Sequence, residues 1–220
     1  YTKIVCDITT MKHALDTQPL PKKISIIHYV THVLAQVFET FPELNTVLMR
    51  NQLYERADIT AFIHTHLRTA DGYDLRGITL RDVNKLSLEA LANQTKQKTD
   101  ALRQETEHEW QRSTRLMKWV PHWALSCVIK LIDIAVHGLN LPGTWFGIPQ
   151  DPYGSFAVTA VGSLGFEEAY VPLFPFSRLP LVVAVGKPYQ EQRVIEKKNQ
   201  IRWKLALCFT MDHRYFDGAH

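Results

Sequence analysis

Apolar residues along this chain switch between a strand period and a helix period, and the switches mark out its elements. Residues 1–10 alternate loosely, which predicts a strand with Ile4 and Cys6 on one face. Ile26, Ile27, Val30, Val33, Leu34, Val37, Phe38 and Phe41 then recur at i, i+3, i+4 and i+7, the signature of a helix with one broad apolar face. Ser25 supplies its N-cap and Pro42 stops it after Phe41. Short strands are expected between Leu44 and Leu67, with turn chemistry at Arg50-Asn51 and again at Asp71-Gly72. Ser87 opens a second helix. Leu88, Leu91, Thr95 and Leu102 mark its inner face, Lys96, Lys98, Arg103, Glu105 and Glu107 its outer one, and the pattern runs to Arg115.

A third helix is expected over 121–138, with proline in its first turn and glycine at its end. His122, Ser126, Lys130, Asp133 and His137 fall on one narrow polar stripe, and the remaining circumference is apolar. Such a helix is expected to be buried in a core or an interface; it is too short and too interrupted to span a bilayer. After a loop rich in proline and glycine, strands are expected over 155–161, 181–185 and 201–211. In the last, Ile201, Trp203, Leu205, Leu207, Phe209 and Met211 alternate with Arg202, Lys204, Ala206, Cys208 and Thr210.

Composition narrows the function classes. With 220 residues, 45% of them hydrophobic and 21% charged, the chain can bury the core of one sizeable domain. A formal charge of +3 without any basic block or basic-aromatic stripe argues against nucleic acid as a partner, and no membrane contact is expected. Cys6, Cys127 and Cys208 are odd in number and scattered, which excludes a disulfide framework and a thiolate zinc site. Their apolar neighbourhoods predict buried thiols and a reducing, cytoplasmic setting. Both ends of the chain, at Tyr1 and His220, read as cut from a longer protein.

Few residue patterns suggest chemistry. His64 and His66 flank Thr65 and share a strand face, but no third ligand accompanies them, so no metal site is expected. Gly162-Ser163-Leu164-Gly165 lacks the lysine and hydroxyl residue that a phosphate loop needs. There is no Gly-x-Ser-x-Gly elbow. What remains is Asp212-His213-Arg214-Tyr215-Phe216-Asp217-Gly218, just past the alternating strand. A strand end can hold His213 in one orientation, Asp217 can anchor it, and a neutral imidazole can take a proton from a thiol or hydroxyl.

This motif resembles the active-site motif of the 2-oxoacid dehydrogenase dihydrolipoyl acyltransferases. Three further stretches resemble that family in its order. They are Val5-Cys6-Asp7-Ile8-Thr9 with Phe41-Pro42-Glu43-Leu44-Asn45; Gly77-Ile78 through Arg81-Asp82-Val83 to Ser87-Leu88; and the glycine-bounded run Gly154-Ser155-Phe156-Ala157-Val158-Thr159-Ala160-Val161-Gly162. The resemblance implies one acyltransferase catalytic domain over 1–220, with a helical insertion at about 107–149 that the family pattern does not contain. It implies an α/β fold of the chloramphenicol acetyltransferase type, a two-layer sandwich with a mixed β-sheet. It also implies His213 as general base, Thr159 as donor to the oxyanion, and Asp217 as an orienting group paired with an arginine. Coenzyme A is the implied acyl carrier, although no CoA-binding residue is identifiable, and a lipoyl group on a partner domain is the implied acceptor. A homotrimer with active sites between subunits, serving dehydrogenase-complex components, completes the expectation. Two alternatives stay open: a stand-alone enzyme of the same superfamily acting on a small or carrier-bound acceptor, and a catalytically silent trimeric scaffold. The Asp-His-Arg form, in place of two adjacent histidines, separates the chain from condensation domains.

Overall fold

A computed structural model describes residues 1–19, 24–49, 51–69, 72–117, 127, 130–131, 134–135, 151, 153–174, 177–195 and 197–217. Its frame is a mixed seven-stranded sheet. The strands are β1 (Thr2–Asp7), β4 (Ala61–Thr69), β5 (Gly72–Leu80), β6 (Phe156–Thr159), β7 (Leu181–Val185), β8 (Tyr189–Ile195) and β9 (Lys198–Met211), in the order β1-β9-β7-β6-β4-β5, with β8 also paired to β9. β6 runs parallel to both β4 and β7, and the other pairs are antiparallel. A separate hairpin is formed by β2 (Thr46–Met49) and β3 (Gln52–Glu55), with Asn51 in the left-handed region at φ 63° in its turn.

Helices α1 (Thr9–Asp16), α2 (Ile26–Thr40) and α3 (Leu88–Met117) complete the fold, and one face of the sheet holds the main core. Val30, Leu34, Ala35 and Phe38 of α2 and Leu91 of α3 meet Ile63, Ile78, Phe156, Val158, Val183 and Leu205 there. Phe38 lies against Phe156 at 5.0 Å and against Phe216 at 6.4 Å. On the opposite face Ala157, Val182, Ala184 and Cys208 are covered by Tyr153, Ala169, Val171 and Leu173. This is the expected two-layer α/β sandwich with a mixed sheet.

Several elements differ from the sequence reading. The first strand stops at Asp7 because the Asp7 carboxylate accepts from both the amide and the hydroxyl of Thr9, which turns the chain into α1, a helix the apolar pattern did not reveal. The same carboxylate meets the buried Lys204 at 3.2 Å. On α2, Val33 falls outside the buried stripe, and Phe41, which caps the helix just past its end at Thr40, is exposed as well. The edge strand β8 was not expected. Nor does β9 present one wet face: Lys204, Ala206, Cys208 and Thr210, the polar-looking set, are all buried. Of the cysteines, Cys208 is buried, Cys6 half-buried and Cys127 exposed, so burial of all three does not hold. Most of the helix expected over 121–138 lies outside the described residues; Leu131 and Ile134 within it are exposed in the single chain. No helix among the described residues is long and apolar enough to cross a membrane.

Candidate active site

β9 is the longest strand of the sheet, paired on both edges, and the motif begins where it ends. The Asp212 amide makes one more sheet-like bond, to the Pro180 carbonyl at 2.9 Å. The chain then turns tightly: the amides of Tyr215 and Phe216 both donate to the Asp212 carbonyl, at 3.0 and 3.2 Å. The Asp212 carboxylate closes the turn from the other side. It accepts from the Arg214 amide at 3.0 Å and from the Arg214 guanidinium through Nε at 3.0 Å and Nη2 at 2.6 Å. An Asx-type turn and a bidentate ion pair thus share one carboxylate. The hydrogen bonds from Arg214 hold the Asp212 carboxyl below the usual carboxylate range.

Burial decides which way this turn faces. Tyr215 and Phe216 are both 8% exposed and packed into the main core, whereas His213, Arg214 and Asp217 face outward. Among the described residues the His213 imidazole has no hydrogen-bond partner, so its nitrogens are uncommitted. The arginine nearest in the motif, Arg214, is taken by Asp212. Gly218 lies outside the described residues.

Thr159 ends β6, buried on the sheet face opposite the helices, and among the described residues its hydroxyl makes no hydrogen bond. Strand register separates it from His213. Thr159 is level with Ala184 on β7, and Ala184 with Cys208 on β9. His213 lies beyond Met211, which pairs with Leu181 at the other end of β7. At about 3.3 Å per residue along the strands and about 4.8 Å between them, the backbone of Met211 is already about 14 Å from that of Thr159, and His213 lies two residues beyond. The structure therefore does not bring them together within a single chain.

Beyond Thr159 the chain enters a short 3-10 turn, Val161–Leu164, ended by Gly165 in the left-handed region at φ 92°. Gly162 packs on the backbone of Gly186 so closely that a Cβ would lie 2.5 Å from the Gly186 oxygen. These two glycines help floor a groove of about 410 Å³, walled by Ala160, Ser163, Val185 and Pro188 on one side and by Lys12, Leu15 and Ile26 on the other. Gly162 and Ser163 thus line a groove that begins at Ala160 on the helix side of the sheet, whereas the Thr159 side chain faces the other side.

The remaining candidate stays unremarkable. The His64 ring sits edge-on to Phe62 at 5.0 Å, and the side chain of His66 is outside the described set. Among the described residues no group of three or more His, Cys, Asp or Glu side chains is arranged to hold a metal ion. The sequence reading missed the organising part of Asp212. An aspartate two residues before an arginine, at a strand end, is the signal that could have found it.

No protein-family model matches the chain, and no curated protein does. Solved structures do. A probable dihydrolipoamide acetyltransferase from Listeria monocytogenes superimposes with a TM-score of 0.70 at 15% identity, covering 99% of this chain and 76% of its own. The cubic core of a pyruvate dehydrogenase multienzyme complex gives 0.67 at 17%, covering 99% and 74%. A dihydrolipoamide acetyltransferase of Azotobacter vinelandii, whose catalytic mechanism has been investigated at a serine, a histidine and an asparagine, gives 0.63 at 18%, again covering 99% and 74%. The chain thus has the fold of the dihydrolipoamide acetyltransferase cores of 2-oxoacid dehydrogenase complexes.

Proposed function

We propose that this protein is a CoA-dependent acyltransferase that moves an acyl group between coenzyme A and a thiol, with a dihydrolipoyl group as acceptor. The carrying observation is the placement of His213: an exposed, uncommitted imidazole on a rigid turn, in the fold of the acetyltransferase cores. The histidine and asparagine investigated in the Azotobacter enzyme have the same spacing as His213 and Asp217, and its serine precedes the histidine by an interval close to that between Thr159 and His213.

In this reading His213 takes the proton of the attacking thiol, and the thiolate adds to the thioester carbonyl carbon. The Thr159 hydroxyl donates a hydrogen bond to the oxyanion that forms, where a preorganised donor stabilises the transition state by about 3 kcal/mol. Collapse of the tetrahedral intermediate breaks the original carbon–sulfur bond, and the departing thiolate takes the proton back from the imidazolium. Asp217 orients the histidine. Because Thr159 and His213 of one chain are too far apart to share a carbonyl, the site pairs His213 with Thr159 of the partner subunit, and we propose a homotrimer with three such sites. The groove of about 410 Å³ that begins at Ala160, with largely apolar walls, is the candidate place for a pantetheine arm. Partners would be lipoyl domains and dehydrogenase components. The setting would be the cytoplasm, where free thiols stay reduced.

The test is His213→Ala in protein whose oligomeric mass is verified. Acetyl transfer from acetyl-CoA to dihydrolipoamide should fall by about 10²- to 10⁴-fold, and unchanged turnover refutes the reading.

A further inference from the structure

The hairpin β2–β3 is not part of the main sheet, yet it is tied to the turn that carries His213. In β2 the backbone groups of Thr46 and Leu48 point away from β3, as alternate residues of an antiparallel pair must. Side chains satisfy them in place of a strand. Arg56 Nη1 donates to the Thr46 carbonyl at 2.6 Å, the Leu48 amide donates to Tyr215 Oη at 2.7 Å, and Arg178 Nη1 donates to the Leu48 carbonyl at 2.5 Å. Two of these three contacts converge on one residue, Leu48, and come from the two segments that flank the end of β9.

The contacts form a closed circuit. From Leu48 it passes to Tyr215 Oη, along the Tyr215 side chain to its amide, and from there to the Asp212 carbonyl. It continues from the Asp212 amide to the Pro180 carbonyl and returns through Arg178 to Leu48. His213 lies inside this circuit and makes none of its bonds. Arg178 holds its place with φ at 51°, a left-handed conformation costly for a residue with a Cβ. The backbone is thus constrained at the point where its guanidinium reaches the hairpin.

We infer that Tyr215 is a positioning residue: its phenolic oxygen, with the Arg178 guanidinium, clamps the His213 turn to β2 and fixes the direction of the imidazole. This rests on His213 being the base, as argued above. Loss of the Tyr215 or the Arg178 link opens the circuit and loosens the turn from β2, while the bonds inside the turn and the Asp212–Pro180 bond persist. The buried rings of Tyr215 and Phe216 then hold the turn only by packing, which tolerates sliding that a 2.7 Å contact does not.

The experiment uses the full chain. Tyr215→Phe removes only the phenolic oxygen and should lower kcat for acetyl transfer to dihydrolipoamide by about tenfold to a hundredfold with the KM for acetyl-CoA unchanged. Arg178→Met should do the same, and the double variant no more than either alone, since the circuit is already open. Asp151→Asn loosens the same hairpin at Arg56, whose Nε meets Asp151 at 2.7 Å, and should leave kcat unchanged. Equal loss of kcat in Asp151→Asn would mean that the hairpin matters only for stability and would overturn the inference. Carbon-13 labelled histidine spectra read the imidazole directly. The His213 signal, identified by its loss in His213→Gln, should be single in the parent and should broaden or split in Tyr215→Phe. That readout needs no turnover, so a parent that transfers no acyl group defeats the proposed function while the positioning is still judged. An unchanged His213 signal in Tyr215→Phe overturns the inference whatever the turnover.

Discussion

Mixed oligomers of two inactive variants test whether His213 and Thr159 act across subunits. Register puts Met211 already about 14 Å from Thr159 in one chain, with His213 two residues beyond, whereas an oxyanion donor must come within about 3 Å of the oxygen it stabilises. No side-chain rotation closes that gap, since Thr159 sits within paired β6 and the turn after β9 is bonded to Pro180. Alone, His213→Ala should lose about 10²- to 10⁴-fold and Thr159→Ala about 10²- to 10³-fold in kcat. When the two are co-expressed with different tags and assemblies carrying both tags are purified, the cyclic symmetry of the proposed trimer decides the outcome. Whichever variant supplies two of the three chains, one interface joins an intact His213 to an intact Thr159. Acetyl transfer should therefore return to about one third of the parental turnover. A pairing within one chain predicts no recovery, because every chain then lacks one partner. Turnover of verified mixed trimers that stays at the level of the single variants refutes the split site.

Three further outcomes follow from particular contacts. His28 is 7% exposed and its Nδ1 accepts the Ser25 amide at 3.1 Å, so burial pushes its pKa down to about 4; the unfolded chain, titrating near 6.5, then binds the proton first. Stability is full above pH 6.5 and falls as pH drops towards 4, by about 2 kcal/mol at pH 5, and urea unfolding at pH 7.5 and 5 should show this fall in the parent but not in His28→Gln. Asp212→Ala removes a carboxylate that closes the turn and pairs with a largely exposed arginine, and guanidinium unfolding should register a loss of only about 1–2 kcal/mol, given solvent screening of the pair. Gly186→Ala places a Cβ 1.8 Å from the backbone oxygen of Glu167; calorimetry should show a destabilisation of about 3 kcal/mol, since only backbone movement relieves the clash.

Local chemistry made much of the fold legible before any coordinates. The helix over Ile26–Thr40, the buried strand Leu181–Val185 and the long alternation up to Met211 each carry their period and their stop signal within a short window. What was not legible depended on partners distant in sequence. α1 follows from the turn that the Asp7 carboxylate closes on Thr9, and that aspartate also answers Lys204, nearly the whole chain away. Cys208, on the polar-looking face of β9, is buried because Ala169 and Val171 pack across it, and no period within β9 encodes that cover. β8 is an edge strand beside β9, with Val194 and Ile201 exposed across the hairpin, so hydrophobic alternation had little to report.

The candidate site divides along the same line. The motif and its histidine are contiguous and could be read directly, and the glycine-bounded run pointed to Thr159. The distance between them could not be read, because it arises from β7 lying between β6 and β9 with its two ends facing different residues. That separation also makes sense of another feature. The chain that leaves Thr159 runs at once through Leu164, Phe166, Tyr170 and Phe174, which are 55%, 56%, 45% and 64% exposed, on the segment covering the sheet face opposite the helices. An isolated monomer seldom leaves such a run of large apolar side chains in water beside a groove. If Thr159 needs His213 from a neighbour, a neighbour must dock beside this segment, and the same docking would bury these side chains. In the proposed assembly a second copy of the chain would both complete the site and cover this segment; the mixed-trimer measurement tests the first of these, and loss of the assembly in Phe174→Asp would test the second.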